Sequence, residues 1–140
     1  MAYSLLFQGY YRDEIRRLFP SSAGIYCVYR GVYNPQSRCI TLMELLYIGE
    51  TNNLHQRHNE HDRRTDFLEQ LEHGEILVYT YAPFNGGEND RRRLEAALVY
   101  EMQPPLNEKL VNGFNYPPTE IILSGEKHAY LPNRICSPSF

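Results

Sequence analysis

Apolar positions recur along this chain in two rhythms, one of period two and one close to 3.6, and together they predict a short series of strands and helices. Ile15, Leu18 and Phe19 share one side of a short helix over residues 12–19, which Pro20, Ser21 and Ser22 close. A strand follows over 24–30, with Tyr26, Val28 and Arg30 on one face and Ile25, Cys27 and Tyr29 on the other. Residues 31–38, with Asn34–Pro35, read as a turn or loop. A second strand over 42–49 places Tyr47 and Gly49 on a common face, and an antiparallel hairpin of the two strands sets Tyr26 beside Tyr47. Asn52 or Asn53 then caps a helix running to about His61. Its stripe at i, i+3, i+4 and i+7 is Leu54, Arg57, His58 and His61, which is cationic and aromatic where a packing stripe is apolar.

A second helical piece over 67–73 ends at Gly74, and residues 75–84 form a third strand. Gly86–Gly87 opens a helix over 88–103 with Leu94, Leu98 and Met102 inward, which Pro104–Pro105 stops. The remainder is loop-rich, with one strand at 119–123 and residues 132–140 frayed or wrapped on the surface. The expected fold is a single α/β (α+β) domain built on a small, mainly antiparallel three-stranded sheet flanked by helices. Its core spans about 22–112, with extensions at both ends, the C-terminal one covering 113–140.

A chain of 140 residues suits one domain with one core. It shows no basic segment before a long apolar run at its start, and no stretch of the roughly 18 apolar residues a membrane helix needs. A cytoplasmic protein away from membranes is expected. Cys27, Cys39 and Cys136 are odd in number and lack a C-x-x-C pair, which speaks against a disulfide framework or a structural zinc site. The net charge of −3 does not announce a nucleic-acid binder. The cations are nonetheless almost all Arg, clustered at Arg12, Arg16 and Arg17, at Arg57, Arg63 and Arg64, and at Arg91, Arg92 and Arg93. Arg grips two phosphate oxygens at once, so Arg63, Arg64, Arg91, Arg92 and Arg93 are candidate phosphate contacts.

Ala23-Gly24-Ile25-Tyr26 followed by Leu46-Tyr47-Ile48-Gly49 resembles the two tripeptides that name the GIY-YIG nuclease superfamily. The resemblance continues in order: Arg57 lies ten residues after Tyr47, His61 four further on, Glu95 in Leu94-Glu95-Ala96-Ala97-Leu98, and Asn107 after Pro104-Pro105-Leu106. It implies an endonuclease that hydrolyses DNA, most readily double-stranded, with Mg²⁺ or Mn²⁺ held by Glu95. On this resemblance Arg57 is expected to contact the scissile phosphate, and Tyr26 is the candidate general base. Tyr47 positions the water or phosphate, His61 takes or relays the proton, and Asn107 supports Tyr26 or the catalytic loop. A lone carboxylate suits Mg²⁺, which fills its shell with water and phosphate oxygens. An ordinary Tyr titrates near 10, so cations must crowd the base.

Two departures stand out. Many members carry a Lys three residues after the second tyrosine, where this chain has Glu50, so Arg57 or Arg30 must supply the charge. The segment around 34–43 is longer than in the compact family core and is expected to touch DNA or a partner. With no room for a separate DNA-binding domain, the chain is expected to use its own loops, a second copy or a partner protein for specificity. The rival readings are a non-catalytic nucleic-acid or protein interaction module, favoured by Glu50 and the acidity, and a nuclease acting on RNA. His55, His58 and His61 also form H-x-x-H-x-x-H, but on a helix His55 and His61 stand about 120° apart, which disfavours zinc.

Overall fold

The computed structural model describes residues 2–127 and 130–138, and these described residues form six strands and four helices. The strands are β1 (Ala2–Arg12), β2 (Gly24–Asn34), β3 (Cys39–Thr51), β4 (Ile76–Pro83), β5 (Thr119–Gly125) and β6 (Arg134–Ser137). A 3₁₀ helix, Asp13–Leu18, joins the first two strands. The α-helices are α1 (Leu54–Asn59), α2 (Arg64–Glu69) and α3 (Glu88–Met102). Asn53 caps α1, its side chain accepting the Gln56 amide.

The strands join in one sheet in the order β3-β2-β4-β1-β5-β6. This corrects the expected three-stranded sheet. β3, β2 and β4 do form an antiparallel trio, but β4 also pairs antiparallel with β1, β1 parallel with β5, and β5 antiparallel with β6. The sheet is therefore mixed and twice as wide. β1 escapes the pattern because Leu5-Leu6-Phe7 is a continuous apolar run. Leu5 and Phe7 are buried while Leu6 points outward, 56% exposed, so no alternation marks the strand. Between Gln8 and Tyr11 the pairing with β4 also shifts register. β6 is only four residues long, yet it buries Ile135 and Ser137.

Helices cover both faces of the sheet, which explains why β2 is buried almost without interruption. Ile25, Cys27 and Tyr29 face a core shared with Leu94, Ala97 and Leu98 of α3 and with Leu5, Phe7 and Ile121. Tyr26 and Val28 face the opposite core, with Phe19, Leu54, Phe67, Tyr79 and Tyr81. At Gly24 the backbones of β2 and β4 meet so closely that a Cβ would stand 2.4 Å from the Ala82 carbonyl oxygen. The hairpin of β2 and β3 runs further than anticipated, with only the residues between Asn34 and Cys39 left as a turn. Among the described residues no helix is long and apolar enough to cross a membrane.

His58 lies inside the second core, stacked on Phe19 at 3.8 Å between ring centres and edge-on to Tyr26 and Tyr79. Its Nδ1–H donates to the Leu54 carbonyl at 2.9 Å, and Nε2 has no partner among the described residues. Burial drives its pKa down to about 4, against an ordinary value near 6.5. The unfolded chain therefore binds a proton that the folded chain refuses. The His58 contribution is at its full value above pH 6.5 and erodes as pH falls toward 4, by roughly 3 kcal/mol at most. Urea unfolding at pH 7 and pH 4.5 is expected to show wild type losing more stability on acidification than His58→Leu. Equal losses in the two proteins contradict this.

Candidate active site

The free edge of the sheet organises the site. β3 has no strand beyond it, so the outward backbone groups of its second half need other partners. Three come from residues after or within α3. Leu106 donates its amide to the Leu46 carbonyl at 3.0 Å. Asn107 behaves like a short piece of strand. Its Oδ1 accepts the Ile48 amide at 3.0 Å and its Nδ2 donates to the Ile48 carbonyl at 2.9 Å. Glu95 Oε2 accepts the Glu50 amide at 2.9 Å. Asn107 thus fixes β3 through the main chain beside Tyr47, where the sequence led us to expect a support for Tyr26 or a loop.

Beside this edge opens a cavity of about 650 Å³ lined by Tyr47, Arg57, Asp62, Arg63, Arg92, Glu95, Asn107, Glu108, Lys109 and Leu110. Residues from β3, α1, α3 and the following loop, far apart in sequence, thereby share one concave surface. Tyr26 stands behind this wall, 1% exposed, with its ring centre 6.2 Å from that of Tyr47. Tyr26 pairs with Gly49 across the hairpin, not with Tyr47, which lies opposite Val28. The glycine matters because a Cβ there would fall 2.4 Å from the Tyr26 Oη.

Tyr26 Oη lies 2.7 Å from His61 Nε2. The tautomer follows from the other ring nitrogen. His61 Nδ1 accepts the Arg63 amide N–H at 3.0 Å, so the neutral ring carries its proton on Nε2 and donates it to Tyr26. Burial, aided by Arg57, drives the His61 pKa down to about 4, which keeps the ring neutral at pH 7. The Asp62 carboxylate 3.4 Å from Nδ1 is mostly in solvent and attracts only a protonated ring. His61 as it stands is therefore a donor to Tyr26 and not an acceptor of its proton. The Tyr26 pKa is raised well above its usual value, chiefly by burial and then by Tyr47, with Arg57 opposing. Burial and then Glu95 raise that of Tyr47 as well.

Glu95 is pushed up to about 7, first by burial and second by the charge of Glu50, while the Glu50 amide works the other way. Among the described residues no hydrogen bond engages Glu95 Oε1.

No family model, curated protein or solved structure matches the chain.

The candidate cations divide by position. Arg57, Arg63 and Arg92 line the cavity. Arg57 is held only loosely, 4.0 Å from Asp62, while Arg63 donates to Asp66 and to the Leu106 carbonyl. Arg64 is committed elsewhere, to Asp13, which also accepts from the Tyr79 hydroxyl at 2.5 Å. Arg91 pairs with Glu50, and Arg93 donates to Thr119 and to the Pro117 and Pro118 carbonyls. Arg30, one of two cations the sequence offered for Tyr26, is taken by Glu44 at 2.9 Å and Glu75 at 2.6 Å. The three histidines also part company, since His55 Nδ1 meets the Phe19 carbonyl while His58 and His61 bind as above. Among the described residues no group of three or more His, Cys, Asp or Glu could hold a metal ion. Sequence reasoning offered Arg91 as a phosphate contact and Glu50 as a departure, and did not foresee that they pair with each other beside Glu95. The signal was present in the i, i+4 spacing of Arg91 and Glu95 on one helix.

Proposed function

We propose that this protein is a nuclease that hydrolyses DNA phosphodiester bonds in the Glu95 cavity with a divalent metal, Mg²⁺ or Mn²⁺. The observation that carries the reading is the composition of that cavity: Glu95, whose Oε1 is unengaged among the described residues, the more exposed carboxylates of Asp62 and Glu108, three guanidinium groups and a tyrosine, backed by the Tyr26–His61 pair. Glu95, the one carboxylate of this cavity not mostly in solvent, fits Mg²⁺, which uses one or two protein carboxylates and leaves room for water and phosphate. When bound, the ion supplies Lewis acidity and a bound water of lowered pKa.

The residues would divide the remaining work. Arg57 binds two oxygens of the scissile phosphate, exchanging its weak pairing with Asp62 for a bidentate one. Arg63, Arg92 and Lys109 take up the flanking charge. Tyr26 acts as its phenolate: after its hydroxyl proton has left to bulk solvent, Oη accepts the proton of the attacking water. Its phenolate is favoured by the Nε2–H of His61 and by Arg57, against the effect of burial. Tyr47 and Asn107 shape the wall that positions the phosphate.

A second reading has one observation behind it. Asp62 and Glu108, each 81% exposed, stand beside Arg57 and Arg63 and would repel a phosphate there, which suits an interaction module that does not grip phosphate tightly. Cleavage of a duplex oligonucleotide by wild type and Arg57→Ala separates the two. Nuclease action predicts a rate lowered about 10²- to 10³-fold at unchanged melting temperature. Absence of cleavage by wild type, with binding indifferent to salt, favours the module.

A further inference from the structure

We propose that Glu50 and Arg91 form a clamp that holds Glu95 in the attitude in which it binds its cation. The inference rests on the reading of Glu95 as the metal ligand and assigns a purpose to the residue that departs most from the resemblance.

Glu50 is tied to α3 at two points. Its amide donates to Glu95 Oε2 at 2.9 Å, and its Oε2 accepts from Arg91 Nε at 2.5 Å. Arg91 lies one turn before Glu95 on the same helix and is only 6% exposed. Arg92 Nε lies 3.9 Å from the other Glu50 oxygen. Edge strand, helix and carboxylate are thereby closed into one ring of interactions.

A buried ion pair gains little net stability, because desolvating two charges offsets most of their attraction. What the pair does supply is geometry. With the Glu50 carboxylate anchored on Arg91, its amide is fixed toward Glu95, and with Oε2 committed to that amide, Oε1 is the oxygen presented to a cation. Residues that orient a ligand in this way typically alter metal affinity about 10- to 100-fold when replaced. Glu50 by itself brings a second negative charge beside Glu95. Arg91 cancels it, so the clamp orients the ligand without adding net charge.

Mn²⁺ binding followed by electron paramagnetic resonance, alongside thermal unfolding, tests this without reference to cleavage. The variants are Glu95→Gln and the double variant Glu50→Gln/Arg91→Gln, which removes the pair without changing net charge or leaving a charge unpaired. Glu95→Gln is expected to lose Mn²⁺ binding. The double variant is expected to keep its melting temperature within a few degrees while binding Mn²⁺ about 10- to 100-fold more weakly. Wild-type Mn²⁺ affinity in the double variant overturns the clamp and leaves the pair a structural tie, with the metal reading intact. Wild-type affinity in Glu95→Gln overturns both. Should the double variant not fold, Arg91→Lys keeps the charge but removes the Nε donor. It is expected to weaken Mn²⁺ binding about threefold to tenfold at unchanged melting temperature. Unchanged binding there overturns the clamp.

Discussion

Gly49→Ala is expected to slow DNA cleavage severely, although it adds one methyl group and removes nothing. The added Cβ would stand 2.4 Å from both Cζ and Oη of Tyr26 and 2.8 Å from Cε1. The ring has little room to retreat, because it is fully buried, edge-on to His58 at 4.9 Å and to His61 at 5.7 Å between ring centres. It must tilt, and the 2.7 Å hydrogen bond to His61 breaks first. Overpacking of this kind costs about 1–3 kcal/mol, so the variant is expected to fold with a lowered melting temperature. Its cleavage rate should fall at least about 100-fold, the range for loss of a positioned proton acceptor. A folded Gly49→Ala that cleaves at the wild-type rate contradicts the placement of Tyr26 in the reaction.

Tyr26→Phe is expected to have the other large effect, and it isolates the hydroxyl. Removing Oη strands His61 Nε2–H inside a buried site, which costs roughly 1–3 kcal/mol of stability. The cleavage rate should drop about 10²- to 10⁴-fold with little change in the half-saturating DNA concentration, since the phenol is assigned to proton transfer and not to phosphate binding. Tyr47→Phe is the control. It lines the cavity directly, and its loss should mainly weaken substrate positioning. The reverse ranking, with Tyr47→Phe the slower enzyme, moves the base to Tyr47.

Much of the local structure that carries the candidate residues could be read from the sequence because its parts are local signatures. The hairpin that carries Tyr26 and Tyr47, the Asn53 cap and the inward face of α3 all follow from short-range periodicity. The sheet beyond β4 could not be read in that way. β1 hides its alternation behind Leu6, and its pairing with β5 is parallel and long-range, a relation that leaves no mark on either segment alone. The roles of Asn107 and Glu95 as partners of a bare strand edge were hidden for a similar reason. They depend on β3 being the outermost strand, which only the strand order reveals. The polar stripe from Leu54 to His61 was visible but its meaning was not, and α1 ends at Asn59 before reaching His61. Leu54 and His58 turn into the core, His61 turns to Tyr26, and Arg57 alone of the four lines the cavity. Arg clustering likewise misled in part, since Arg64 and Arg93 hold the fold together.

The central claim is metal-dependent hydrolysis at Glu95, and nicking of supercoiled plasmid by wild type and Glu95→Ala with Mg²⁺ or Mn²⁺ tests it most directly. The account predicts nicked or linear plasmid from wild type, none when EDTA removes the metal, and none from a Glu95→Ala protein that retains its fold. Intact plasmid with wild type across pH 6 to 9, or equal cleavage by the two proteins, contradicts it.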